Sequence, residues 1–213
     1  MTDLWSERAE AYRASAAHAE GADLDLVVEW CEPAAGVSAL DVATGGGHVA
    51  RRLHERGAAV ITVDPAPGMQ PDVIAPAEHL PFADGGFDVV VCRIAAHHFH
   101  DVNGAIRELA RVARDRLVIE DNLFFDEASE EAERVRDPSH VRCYSEPEWE
   151  VMLEAAGLRV DARRRFDRAV ALQPWLDRVG CAGGDASRVV ELLGHRIADG
   201  NVRMATLVIR GRK

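Results

Sequence analysis

Leu40-Asp41-Val42-Ala43-Thr44-Gly45-Gly46-Gly47-His48 is the stretch on which the fold turns. An apolar run over residues 37–43 feeds three successive glycines, and residues 48–56 then read as a helix closed by Gly57. A strand that enters a helix through glycines lets backbone approach a ligand with no Cβ in between. Two acids sharpen this pattern. Asp41 lies inside the strand end, four residues before Gly45, where a nicotinamide-binding turn needs no acid. It can organise the turn and, directly or through water, face an ammonium group. Asp64 ends the next apolar run, residues 58–63, nineteen residues after Gly45. A carboxylate there can accept both hydroxyls of a ribose. Each acid alone is equally well read as a local cap; with the glycines, the ligand reading is the stronger.

Working outward, residues 87–92, 116–120, 158–166 and 204–210 are strand-like, and residues 102–113, 127–135, 146–156 and 185–197 are helical. Ser145 and Glu148 have capping-box spacing at the start of one helix. The first thirty residues read as two helices, the first carrying Leu4, Trp5, Ala9 and Tyr12 at helical spacing. Nearly uniformly apolar strands alternating with helices predict a parallel sheet covered on both faces, a doubly wound α/β fold. A chain of 213 residues suits one domain, 1–213, with a helical segment 1–32 and a Rossmann-like core 33–213.

A formal net charge of −11 argues against a nucleic-acid partner. The largest basic cluster, Arg163-Arg164-Arg165, reads as a solvated strand edge. No apolar stretch is long enough to cross a bilayer. Cys31, Cys92, Cys143 and Cys181 are scattered without a CxxC pair, which suits a reduced, cytoplasmic setting and gives no zinc motif.

The ordered segments Asp41–His48, Val63-Asp64, Ala77-Glu78-His79-Leu80-Pro81-Phe82, Phe87-Asp88-Val89-Val90 and Ala96-His97-His98-Phe99 resemble successive motifs of class I S-adenosylmethionine-dependent methyltransferases. The chain is most similar to the subgroup of ubiquinone and menaquinone biosynthesis methyltransferases. Trp5-Ser6-Glu7-Arg8-Ala9-Glu10-Ala11-Tyr12 resembles that subgroup's lid helix, and Arg136–Arg142 and Tyr144-Ser145 are also family-like. The resemblance implies a seven-stranded sheet with an antiparallel last strand, and S-adenosylmethionine as cofactor, leaving as S-adenosylhomocysteine. It places Gly45 and Gly47 under the methionine part, with Asp41 near its amino group and Asp64 on the ribose. Ala77 and Glu78 would lie beside the adenine, Arg93 beneath the methionine moiety, and Tyr12 would close over the cofactor. Thr44, Gly46 and Pro65 complete that expected set.

Two departures from the family stand out. Between Asp64 and Ala77 the family carries a helix and a strand, whereas here Pro65, Pro67, Gly68 and Pro71 exclude a regular helix. Seven extended residues span at most about 23–25 Å, enough to run back along a short strand at residues 72–75. The expectation is a sheet shortened between strands 2 and 3, with an extended crossover and one barer face. Such a patch would serve as a homodimer contact or a widened pocket. The second departure is Pro76, where the family has an aspartate for the adenine amino group; proline offers neither carboxylate nor N–H.

His97 and His98 follow the fourth strand, where this fold presents groups to the methyl acceptor. Either could act as a base at neutral pH, or one could pack under the lid while the other faces solvent. His100, beside Asp101, reads as a helix-start residue. Three histidines in one loop do not make a metal site, and none is expected. Arg142 and Tyr144 suit a substrate carboxylate or ring, or equally a salt bridge and a core aromatic. Cys92-Arg93-Ile94-Ala95 lacks the Asn/Asp-Pro-Pro-aromatic signature of amino-directed nucleic-acid methyltransferases. The expected function is methyl transfer to a carbon, oxygen or nitrogen of a small molecule, and alignment supplies much of such a rate. The alternatives are a catalytically silent S-adenosylmethionine-binding or dimeric scaffold, and a nicotinamide oxidoreductase, against which Asp41 and the missing sixth-position glycine count.

Overall fold

Three helices precede the sheet in the computed structural model, which describes residues 2–213. They are α1 (Thr2–Arg13), α2 (Ala16–Ala19) and α3 (Ala22–Trp30), where two were expected. The alternation then follows the apolar runs: β1 (Ser38–Val42), α4 (His48–Glu55), β2 (Ala59–Asp64), β3 (Val73–Ile74), β4 (Phe87–Arg93), α5 (Val102–Val112) and β5 (Ala113–Asn122). The remainder is α6 (Glu127–Arg136), α7 (Glu146–Ala155), β6 (Arg159–Ala171), α8 (Leu172–Asp177), α9 (Gly183–Leu193), β7 (Ile197–Ala198) and β8 (Asn201–Arg212). Among the described residues no helix is long and apolar enough to cross a membrane.

The strand order is β3-β2-β1-β4-β5-β8-β6, with the two-residue β7 paired to β8 beside that path. β1 pairs parallel with β2 and β4, so that Leu40 faces Ile61 on one side and Val90 on the other. β8 runs antiparallel to both β5 and β6, the reversal expected of the last strand. Side chains of alternate strand residues go to opposite faces. Leu40, Val42, Val90 and Ile119 pack under α5 and α7, and Ala39, Val89, Val91 and Val118 under α3 and α4. A third apolar cluster, with Trp175, Leu176, Val189 and Leu193, joins α8 and α9 to α6. Arg163, Arg164 and Arg165 lie exposed on β6, the outermost strand.

The crossover from β2 to β3 is not fully extended: Pro67–Met69 forms one 3₁₀ turn. Proline pre-sets φ for the first position of such a turn. The turn has a second use, because α1 sits on it. Ser6 Oγ accepts the Gly68 N–H at 3.0 Å, and Arg13 donates to the Gly68 carbonyl at 3.1 Å. A Cβ on Gly68 would stand 2.6 Å from Ser6 Cα, so glycine permits the approach. Ala9, Ala66 and Met69 form a small core there. Ile61 and Ile74 are 36% and 61% exposed, but they lie on opposite faces of this end of the sheet, so the bareness is not confined to one face as expected.

The capping box at α7 forms as its spacing predicts: the Glu148 carboxylate accepts the Ser145 N–H at 2.8 Å and its hydroxyl at 2.7 Å. Ser145→Ala is expected to cost about 1 kcal/mol. For a chain of this size that lowers the Tm by about 2–4 °C, read by differential scanning calorimetry. An unchanged Tm would show the box to be idle.

Candidate functional site

The order of strands reverses between β1 and β4, and at the carboxyl ends of the strands there lies a cavity of about 280 Å³. Ligands of open α/β sheets bind at such a switch point. The β1–α4 turn forms one wall. Gly45 lines the cavity with φ at +51°, a conformation that costs glycine little. A Cβ on Gly46 would come within 2.8 Å of the Tyr12 carbonyl oxygen, so this glycine lets the end of α1 lie against the turn. His48 Nε2 donates to the same carbonyl at 3.0 Å. Gly47 caps α4 without lining the cavity.

The two acids tie the turn together. One Asp41 oxygen accepts the Thr44 hydroxyl at 2.7 Å and the Ala50 N–H at 3.1 Å, joining strand end, turn and helix. Burial pushes the Asp41 carboxyl up to about 6, against the pull of those two donors. Asp64 accepts the Gly45 N–H at 3.0 Å on one oxygen and the Ala66 N–H at 2.9 Å on the other. Burial raises its pKa as well, past the effect of both N–H groups. Each carboxylate keeps acceptor lone pairs for a ligand. Pro65, Pro76, Ala77 and Glu78 line the cavity beyond Asp64, and Tyr12 lines it from the end of α1.

Arg93 also lines the cavity, and it is fully committed. It donates to Glu120 at 2.5 Å, to Asp23 at 2.9 Å and to the His18 carbonyl at 3.0 Å. Asp23 takes a further bond from Arg168 at 3.0 Å. Glu120 is fully buried, and burial and then the Asp23 charge push its carboxyl up to about 8. Sequence reasoning missed Asp23 and Glu120. The available signal was a pair of adjacent acids, Glu120-Asp121, directly after the apolar run Leu117-Val118-Ile119.

The opposite wall separates the histidine pair. His98 lines the cavity, with Nδ1 3.1 Å from the Ser139 carbonyl oxygen and the Trp5 ring packed edge-on at 4.7 Å. A carbonyl only accepts, so Nδ1 carries the proton and Nε2 keeps its lone pair. Burial, and then the charge of His97, hold His98 well below the usual histidine range. His97 does not line the cavity: it is buried, with Nδ1 2.5 Å from Asp121. His100 lines the cavity, while Asp101 caps α5 through Gly104 at 2.8 Å.

Behind His98, Asp137 is a hub. It accepts the Ser139 hydroxyl at 2.6 Å and both of its oxygens meet Arg8 of α1 at 3.1 Å. Its carboxyl falls to about 2 because the Ser139 bonds and nearby cations outweigh burial. Helix α1 is thus fastened at Asp137, at Gly68 and at His48.

Arg142 and Tyr144 do not line the cavity. The capping acid Glu148 takes Arg142 at 2.6 Å, its guanidinium lies 5.0 Å over the Tyr144 ring, and Tyr144 packs edge-on against Trp149. The segment has turned toward α7 instead. Glu130, His140 and Cys143, distant in the sequence reading, come together with side-chain heteroatoms within 4.8 Å. Glu130 accepts from His140 Nε2 at 3.1 Å and from the Cys143 N–H at 3.2 Å, clamping the loop to α6.

A model of the methyltransferase domain matches residues 40–117, the segment that builds the glycine turn and the fourth strand. The uncharacterized methyltransferase YcgJ of Bacillus subtilis is 32% identical, over 90% of this chain and 84% of that protein. The crystal structure of YcgJ superposes with a TM-score of 0.81 at 28% identity, covering 90% of this chain and 97% of that one. A demethylmenaquinone methyltransferase of Thermobifida fusca is 37% identical over 38% of this chain and 41% of its own length.

Proposed function

The chain belongs to the class I S-adenosylmethionine-dependent methyltransferases, in the group similar to menaquinone and ubiquinone biosynthesis methyltransferases, and we propose that it methylates a small, uncharged acceptor at carbon, oxygen or nitrogen, with His98 taking the acceptor's proton. The observation that carries this reading is the polarity of the cavity, with two carboxylates on one wall and a histidine with an open Nε2 on the other.

The residues present fit the cofactor. The turn at Gly45 and Gly46 lines the cavity, and Gly45, at φ +51°, presents backbone there with no Cβ. Asp64 would receive the ribose hydroxyls and Asp41 the ammonium group. Pro65, Ala77 and Glu78 would flank the adenine, and Glu78 is the acid nearest in sequence to Pro76. When bound, the cofactor supplies a methyl group on a positively charged sulfur that leaves readily. Trp5 and Tyr12 of α1 line the cavity and would exclude water from that side. The acceptor's hydrogen goes to His98 Nε2 as its atom becomes nucleophilic. Arg93 is paired with Asp23 and hydrogen-bonded to Glu120, and Arg8 is paired with Asp137. An anionic acceptor would find neither guanidinium free, which favours a neutral one.

Asp41 makes cofactor binding sensitive to pH. Its carboxylate must be charged to hold an ammonium, and its pKa in the fold lies near 6, above the ordinary value of 3.8. Affinity is therefore full at neutral pH and declines as pH falls through about 6, by up to tenfold per unit. Asp41→Asn should bind more weakly and without that slope, measured by calorimetric titration across the same range. A wild-type affinity constant down to about pH 5 would remove the ammonium contact from the reading.

The direct test titrates the protein with S-adenosylmethionine, S-adenosylhomocysteine and NAD, then screens neutral phenols, enols and amines against carboxylates for S-adenosylhomocysteine release. Binding of both adenosyl ligands, with turnover confined to neutral acceptors, is the expected result. Preference for carboxylates would overturn the acceptor class, and failure of both adenosyl ligands to bind would overturn the site.

A further inference from the structure

The imidazoles beside the cavity form a stack whose two members have different electrostatic partners. The His97 and His98 rings lie 4.1 Å apart, and His140 stands 5.6 Å from His97 and 6.4 Å from His98. Asp121 of β5 grips His97 twice, through Nδ1 at 2.5 Å and through the backbone N–H at 2.9 Å. The same carboxylate, 1% exposed, also accepts the Asn122 N–H at 2.7 Å. Glu133 and Arg136 of α6 act on His97 from further off, with opposite sign. A buried carboxylate is strongly disfavoured without a positive partner. Among the described residues, His97 is the titratable base in direct contact with Asp121. Burial, the largest single effect, lowers the His97 pKa, but the charge and the hydrogen bond of Asp121, with a smaller pull from Glu133, together outweigh it and raise the value. His98 faces Ser139, Asp137, His140, Trp5 and His97, and the nearest positive charge in that set is the His97 imidazolium.

We propose that Asp121 is a positioning residue for the reaction: by holding His97 as an imidazolium against His98, it keeps His98 neutral with Nε2 open to take the acceptor's proton. Asp121 and His97 touch neither cofactor nor acceptor in this arrangement; they act through His98. The arrangement also resets the site. Once the acceptor's X–H bond has broken and an N–H bond has formed on Nε2, two cationic rings lie 4.1 Å apart, tilted by 44°, and repulsion favours release of that proton to water. The inference rests on the reading of His98 as the proton acceptor.

Nuclear magnetic resonance of the histidine rings tests it, using ¹⁵N-labelled protein saturated with S-adenosylhomocysteine between about pH 5 and about pH 9. In the wild type, His97 is expected to carry protons on both nitrogens through neutrality, and His98 to be the Nδ1–H tautomer. In Asp121→Asn, His97 should become neutral and the His98 midpoint should rise by about one pH unit or more. A neutral His97 at pH 7 in the wild type would overturn the proposal with no variant involved, so a misfolded Asp121→Asn cannot shield it. An unmoved His98 midpoint in folded Asp121→Asn would overturn it equally. Wild-type turnover by His98→Gln would instead overturn the underlying base reading, a distinct failure because the ring charges would still be as described.

Discussion

Asp64→Ala is expected to weaken binding of S-adenosylmethionine and S-adenosylhomocysteine by about 100-fold or more, from loss of charge-assisted hydrogen bonds worth about 1.5–3 kcal/mol each. The substitution removes acceptors for the ribose and also the bonds that hold the Gly45 and Ala66 N–H groups. Turn and ligand contact are lost together. The unliganded protein should suffer much less, because burial already disfavours this carboxylate in its charged form. Calorimetric titration beside a thermal melt separates the two effects. Asp64→Asn retains one oxygen acceptor and should fall between wild type and alanine. Binding by Asp64→Ala within about threefold of wild type, a difference of less than 1 kcal/mol, would mean that Asp64 only shapes the turn.

His98→Gln should lower kcat by about 10²–10³-fold while leaving cofactor affinity unchanged, the usual share of one general base. Glutamine can still donate to the Ser139 carbonyl and fill much of the space beneath Trp5, so the lid should remain seated. What it lacks is a basic lone pair. Steady-state kinetics with a turned-over neutral acceptor, with the cofactor's Kd measured separately, isolates that loss. Equal falls in kcat and in cofactor affinity would assign His98 to lid packing instead. An acceptor that is already a strong nucleophile would also shrink the effect, so acceptors of graded acidity should show a graded dependence on His98.

What the sequence made legible was local. The Asp41-to-His48 segment contains strand, turn and helix start, so its hydrogen bonds span a few residues and its geometry follows from composition. Asp64 was readable because the next strand of a doubly wound sheet lies beside the first. The prolines at 65–71 excluded a helix, yet they gave no hint that Pro67–Met69 would become the seat of α1. Contacts between distant segments were illegible. Arg8 meets Asp137 across 129 positions and Arg93 meets Asp23 across 70, with no periodicity to link them. The histidine pair was visible as a motif, but its division of labour depends on Asp121, twenty-four residues on. The sequence left Arg142 open between a substrate contact and a salt bridge, because the capping box announced Glu148 as a helix start and not as its partner, and the structure gives the salt bridge.

The position of β8 bears on how the molecule is made. This strand fills the gap between β5 and β6, pairing with both over most of its length. While a ribosome is still adding residues 201–212, β5 has one open side and β6 has no strand partner at all. The nascent sheet must wait with β5 open on one side and β6 unpaired on both, each open edge a template for association with another unfinished chain. Loss of residues 201–212 would therefore leave an interior vacancy in the sheet rather than a shortened border, and β6 would keep only side-chain holds, such as Arg163 on Glu146 and Arg168 on Asp23, with no strand beside it.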